Sequence, residues 1–231
     1  MRPERSERDV ASGVAEFGSA AALAQPAAAV DHPALVRRIL ARPARLGGTR
    51  LVAVDGPSGA GKTSFARRLA SAFAAAGVAA PVVHTDDLLD GWGDQFTFWP
   101  RLREQVLEPL RAGRPGRYRR YDWARGAFGP DLVTVPPAPV VILEGVSSAR
   151  DEATADLTFA VFVTAPSWLC RARVLARDGS AVAAHLLTWQ RGERAHFHRE
   201  ATATRVDLLV DGAIGAPPAG RGGQTGAPSA G

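Results

Sequence analysis

Residues 51–70 read LVAVDGPSGAGKTSFARRLA. An apolar run rich in β-branched residues ends at Asp55–Gly56, a glycine-rich turn follows, and Lys62–Thr63 open a stretch with Phe65, Leu69, Phe73 and Ala76 at helical spacing. The first part has the character of a short parallel strand buried on both faces, the last that of an amphipathic helix closed at Gly77. Lys62 is the only lysine of the chain, whose other permanent cations are all arginine. A compact ammonium on a flexible stem suits a turn lined with backbone N–H groups, where a planar guanidinium fits badly.

Gly56, four residues and then Gly61-Lys62-Thr63 form the P-loop pattern, in the strand–loop–helix context that the pattern requires. Glycines let the backbone approach a phosphate closely, and successive N–H groups at a helix start make an anion nest. Gly56, Ser58, Gly59, Ala60, Gly61, Lys62, Thr63 and Ser64 are therefore expected to hold ATP or GTP. Lys62 would reach the β- and γ-phosphates, and the Thr63 hydroxyl would meet Mg²⁺.

Working outward, "DHPALVRRILARP" predicts a leading helix over 32–41 capped by Asp31, with Leu35, Val36, Ile39 and Leu40 on its apolar side. "APVVHTDD", "APVVILEG", "DLTFAVFVTAP" and "VDLLVDG" read as further strands. "FWPRLREQVLEPLRAG", "SWLCRARVLARDG" and residues 181–204 read as helices between them. The alternation predicts an α/β fold of the P-loop NTPase type: a three-layer sandwich with a mostly parallel sheet and a helical lid. It spans residues 31–213, between an Ala-rich arm at 1–30 and a Gly/Pro/Ala-rich tail at 214–231, both expected to be disordered.

The 231 residues leave room for one ordinary domain, and the net charge of +5 suits an anionic small ligand. No basic run or zinc-finger pattern supports nucleic acid, and no apolar run is long enough for a membrane span. The N-terminal stretch lacks the form of a secretory signal, so a cytoplasmic location is expected. Cys170 stands alone and reads as a buried structural thiol. His185, His196 and His198 have no zinc-like spacing with other ligands and read as solvated or capping.

Two acidic strand ends narrow the chemistry. Asp86 and Asp87 close "VVHTDD" and Glu144 closes "VVILEG", at the edge of an α/β sheet where ligands bind. Such acids can hold Mg²⁺ or take a proton from a hydroxyl, although an Asp there can also cap a helix. Taken together, "GPSGAGKTS", "TDDLLDGW", "YDW", "VVILEGVSSAR", "RARVLARDG" and "RVDLLVDG" resemble the uridine kinase-like branch of the P-loop kinases over residues 50–212. The resemblance implies an ATP- and Mg²⁺-dependent transfer of the γ-phosphate to a small hydroxyl acceptor, the 5′-hydroxyl of a pyrimidine nucleoside first among them. It makes Asp86 the general base, and Thr63, Asp86 and Glu144 the metal-side oxygens. It assigns Asp94 and Tyr121 to the acceptor, and Arg171, Arg173 and Arg177 to a lid over the triphosphate. Arg173 and Arg177, four apart on one helical face, are the stronger pair. The acceptor region departs from the branch: Leu88 and Leu89 replace an aromatic, Asp94 is the one acid left to hold a ribose, and no histidine follows the "YD" turn. A kinase for another small molecule, or a nucleotide-binding regulatory ATPase, therefore stays open. A homo-oligomer is compatible with all of these.

Overall fold

The computed structural model describes residues 24–213. Its main sheet has six strands: β1 (Gln25–Pro26), β2 (Arg50–Asp55), β3 (Val82–His84), β6 (Val140–Glu144), β7 (Leu157–Thr164) and β8 (Leu208–Asp211). They run in the order β1-β8-β7-β2-β6-β3, and every pair is parallel. The expected α/β sandwich is the one observed. Consecutive residues of β2 and β6 face opposite layers, so that Leu51, Ala53, Val141 and Leu143 belong to one core cluster and Val52, Val54, Val140 and Ile142 to the other. Neither face of these strands meets water, which is why they read as unbroken apolar runs.

Helix α1 (His32–Leu40) is capped as its sequence predicts, the Asp31 carboxylate accepting from Ala34 N–H at 2.9 Å, a bond worth about 0.5–2 kcal/mol. Helix α2 (Lys62–Ala75) buries Phe65, Leu69 and Phe73 against the sheet, each contributing about 1.5–3 kcal/mol. On the other layer, α3 opens as Trp99–Leu102, widens into a π segment at Arg103–Leu107 and ends as Glu108–Arg111. The widening has a local cause: Pro109 brings no N–H to the ladder, and Glu108 N–H bonds back five residues to Arg103 O. Helices α4 (Ser167–Asp178), α5 (Ala183–Arg199) and α6 (Thr202–Arg205) complete the chain.

Two features depart from the expected organisation. Residues 24–30, assigned above to the arm, lie on the domain: β1 pairs with the outer side of β8, and Ala27 and Val30 are buried. The rest of the arm, and the tail, fall outside the described residues. Between α3 and β6 the chain forms an antiparallel ribbon of β4 (Gly116–Asp122) and β5 (Ala127–Val135), where a "YD" turn alone had been read. Tyr118 and Tyr121 both point inward on β4 although they are three apart, because the register shifts between Arg119 and Tyr121 and leaves both intervening arginines facing water.

Candidate active site

β2 delivers the P-loop to the centre of the sheet's C-terminal edge, between β6 and β7. Gly56 has φ +137°, and a Cβ there would stand 2.0 Å from Val163 O. Gly59 has φ +82°, and its Cβ would stand 2.2 Å from Cys170 O. Only glycine combines those dihedrals with that closeness of backbone. The loop is tied down at its start by Asp55, fully buried, whose carboxylate accepts from Gly56 N–H (2.7 Å), Ser147 N–H (2.8 Å) and Ala149 N–H (2.9 Å). Burial raises the Asp55 pKa to about 6 against the pull of those N–H groups and of Lys62. Lys62 itself is buried and donates from Nζ to Pro57 O at 3.1 Å, arching over the loop.

A cleft of about 590 Å³ opens beside the loop. Thr63, Glu144 and Asp86 line it together, from a helix start, the end of β6 and the 3-10 turn Thr85–Leu88 that follows β3. Thr63 Oγ1 donates to Glu144 Oε1 at 3.2 Å, and the other carboxylate oxygen sits 2.6 Å from His84 Nδ1. Burial works to raise the Glu144 pKa, but His84, Lys62 and the Thr63 hydroxyl outweigh it and hold the carboxyl below its usual range. The two acids after β3 divide their labour. Asp87 accepts from Tyr118 Oη (3.2 Å) and Arg120 Nε (3.0 Å), which fastens the β4–β5 ribbon. Asp86 has no hydrogen bond among the described residues and its carboxylate is open to the cleft. Desolvation at the cleft pushes it above the usual carboxylate range; Lys62 and Arg177 pull it down, and Glu144 and Glu193 push it further up.

These oxygens fit a hard cation. Two carboxylates and a hydroxyl share one wall, and among the described residues no three His, Cys, Asp or Glu side chains form an all-protein cage. That donor set suits Mg²⁺ held by one or two carboxylates together with phosphate and water.

Four expected site residues are placed elsewhere. Asp94 does not line the cleft: its carboxylate takes the Asp90 N–H (2.9 Å), the Thr97 hydroxyl and Arg101 Nη1 (2.7 Å). Burial favours its neutral form, but Thr97 and Arg101 prevail and lower its pKa. Tyr121 is also absent from the cleft wall, its ring packed edge-on between Trp123 and Phe128, and Trp123 lines the cleft in its place. Arg173, expected over the triphosphate, turns back instead. Its guanidinium donates to Gly59 O (3.1 Å), Ala60 O (3.5 Å) and Gly212 O (2.9 Å), bracing the loop from behind. Arg177 does face the cleft, flanked by Asp178 at 2.7 Å, while Arg171 is half-buried away from it. A second cavity of about 300 Å³ lies along the helix start, lined by Gly61, Ser64, Arg68, Arg173 and Gly212.

The acceptor side is aromatic. Trp92 stacks on His185 (5.2 Å, 12°) and meets Trp123 and Trp189 edge-on at 5.2 and 5.5 Å. Trp189 brings with it Glu193, which reaches Ser58; neither residue was assigned a role from sequence, although both sit on one stripe of α5. His196 is neither solvated nor a cap: it is buried, stacked on Phe96 (4.7 Å), and burial lowers its pKa to about 4. Cys170 is buried as expected, and its thiol is raised to about 11 by desolvation.

No protein-family model matches the chain. A uridine kinase of Klebsiella pneumoniae (strain 342) is 27% identical over 113 residues, 46% of this chain and 53% of that protein. The inorganic pyrophosphatase TTM2 of Arabidopsis thaliana is 31% identical over 125 residues, 51% of this chain and 18% of that protein. The chain thus spans about half the length of the one relative (53%) and under a fifth of the other (18%). Among solved structures, a "Possible Uridine Kinase" from Bacillus stearothermophilus superposes with a TM-score of 0.60 at 20% identity, covering 78% of this chain and 98% of that one. A Silicibacter sp. TM1040 chain assigned as a fructose transport system kinase gives 0.54 at 23%, covering 79% and 98%. At these identities the structural likeness is one of fold. Curated and structural neighbours both include uridine kinases, the branch that the sequence motifs resemble.

Proposed function

We infer that this chain, similar in motifs and fold to the uridine kinase-like P-loop kinases, is a Mg·ATP-dependent phosphotransferase acting on the hydroxyl of a small acceptor. The observation that carries the reading is the unpartnered Asp86 carboxylate, facing the same cleft as Thr63, Glu144 and the P-loop. The triphosphate would lie along the loop's N–H groups, with Lys62 Nζ swinging from Pro57 O to the β- and γ-oxygens and Arg177 closing over them. The nucleoside part of ATP would occupy the smaller cavity at Ser64, Arg68 and Gly212. A Mg²⁺ ion held by Thr63, Glu144 and Asp86 would neutralise charge on the β- and γ-phosphates.

Asp86 accepts the acceptor's hydroxyl proton as that oxygen bonds to the γ-phosphorus, and the β–γ bridging oxygen leaves with ADP. A carboxylate open to the cleft, with no hydrogen bond among the described residues, keeps an oxygen free to take that proton. Trp92, Trp123 and Trp189 offer ring faces and edges to a planar base, which favours a nucleoside, a pyrimidine nucleoside first. A kinase for another acceptor is favoured by one observation: Asp94 and Tyr121 both stand away from the cleft, so the ribose contacts expected of them are not made. ADP release from Mg·ATP, alone and with single nucleosides, sugars and alcohol-bearing cofactor precursors, tests the reading. Stimulation by one class supports the kinase and names its acceptor. Release unchanged by every acceptor refutes transfer and leaves a nucleotide-dependent switch.

A further inference from the structure

Helix α5 carries Trp189 and Glu193 four residues apart, so both side chains fall on one face, and that face is turned to the P-loop. Glu193 is 1% exposed. Its Oε1 accepts three hydrogen bonds, from Ser58 N–H (2.9 Å), the Ser58 hydroxyl (2.5 Å) and Trp189 Nε1–H (2.8 Å), while Oε2 is buried with no partner among the described residues. Trp189 Nε1 also lies 3.0 Å from Ser58 Oγ, which closes a three-membered ring of contacts. Burying a carboxylate is costly, and an apolar side chain would fill the space without leaving an oxygen unmet. The converging bonds on Oε1 are what the carboxylate gains there.

Ser58 and Trp189 both line the cleft; Glu193 stands behind them and does not. We propose that Glu193 is a positioning residue, which sets the third position of the P-loop and the tryptophan wall of the acceptor cleft from one buried oxygen. The inference rests on the nucleotide-binding reading above. Ser58 lies between Pro57 and Gly59, where the chain has a choice of turns, and the carboxylate selects one by taking both the N–H and the hydroxyl proton. The hydroxyl proton is thereby turned away from the cleft. Beside that face α5 is fixed by Gln95, which donates to Trp189 O at 3.2 Å and lies so near that a Cβ on Gly192 would stand 2.6 Å from its Oε1. The loop that takes the phosphates and the wall that takes the acceptor therefore share a single anchor.

The test uses the full chain and two variants, Glu193→Ala and Glu193→Gln, since a glutamine oxygen can accept the same three donors without the charge. Mg·ATP affinity is measured by titration calorimetry, and the Trp189 indole N–H is followed by ¹H–¹⁵N spectra with Trp189→Phe to identify it. Glu193→Ala is expected to weaken Mg·ATP by about tenfold or more and to shift the indole signal. Glu193→Gln should stay within about threefold of the parent, with the indole signal near its original place. This rescue is a result that a merely structural role for the charge would not produce. Unchanged affinity in Glu193→Ala overturns the inference. Tighter binding in either variant also overturns it, by making the carboxylate a rival of the phosphates rather than a support of the loop. Should Glu193→Ala not fold, Glu193→Gln decides, and a glutamine variant that folds but binds tenfold more weakly counts against the inference. A parent chain that binds no Mg·ATP refutes the nucleotide reading and this inference with it, whereas a binding parent with an indifferent alanine variant refutes this inference alone.

Discussion

Asp55 is a fully buried carboxylate whose pKa stands at about 6, against 3.8 for an unperturbed aspartate. In the window between those values the folded chain holds a proton that the unfolded chain has released. A raised carboxylate of this kind contributes stability that is complete below the unfolded pKa and is lost as pH rises through the folded one. A gap of roughly two units at about 1.36 kcal/mol each makes the loss on the order of 3 kcal/mol. Asp55→Asn cannot titrate and should lack that slope. The amide oxygen can keep two of the three N–H bonds, but its NH₂ would face the donor now satisfied by the second oxygen, a cost of about 1–3 kcal/mol at every pH. Urea denaturation of both proteins at steps between pH 4 and 7 measures the difference directly. Over this range the parent's advantage over Asp55→Asn should be largest at pH 4, where the unfolded aspartate is already more than half ionised, and shrink by about 2–2.5 kcal/mol by pH 7. Because the remaining titrating groups are common to both proteins, they cancel in the difference. Parallel stability curves would refute the argument, as would an advantage that grows with pH.

Asp86→Asn should leave Mg·ATP still able to bind, more weakly, through the loop, Lys62, Thr63 and Glu144, and lower acceptor phosphorylation at saturating Mg·ATP by about 10²–10⁴-fold, the usual worth of a positioned base; transfer at the parent rate would remove Asp86 from that role. Arg173→Ala, by releasing the carbonyls of Gly59, Ala60 and Gly212, should lower the melting temperature and weaken Mg·ATP together, with little change in turnover at saturation. A pure turnover loss at unchanged stability would return Arg173 to the triphosphate. Cys170 should stay unreactive towards a thiol reagent at pH 8 in the folded protein and react at once in denaturant, because burial keeps it a thiol with a pKa of about 11. Rapid labelling of the native chain would show that the α4 packing opens.

What could be read along the chain was what short spacing determines. The loop from Gly56 to Thr63, the Asp31 cap and the strand end at Glu144 depend on neighbours a few residues away and stand where the pattern implies, whereas the strand before Asp86 stops at His84 and leaves that acid in a 3-10 turn, Thr85–Leu88. The misplacements have the opposite character. Arg173 had the right helical face but not a known partner, and its guanidinium found loop carbonyls more than a hundred residues earlier. Asp94 was drawn as a ribose ligand because it was the acid in the right stretch, yet Arg101 and Thr97 lie within seven residues and capture it. Glu193 meets Ser58 across 135 positions, and nothing local marks that contact except the shared stripe with Trp189. The π segment was legible in principle from Pro109 alone, because a missing N–H inside a helix has to be accommodated somewhere.

The solitary lysine has a chemical corollary. Lys62 is the chain's only ε-amine, and it sits 8% exposed with its nitrogen on Pro57 O at the mouth of the phosphate groove. Lysine acylation, carbamylation and amine-directed crosslinking therefore have one side-chain address in the whole sequence. A nucleotide analogue carrying an electrophile on its terminal phosphate would leave its mark on a single tryptic peptide, and the yield of that peptide would serve as a direct gauge of occupancy.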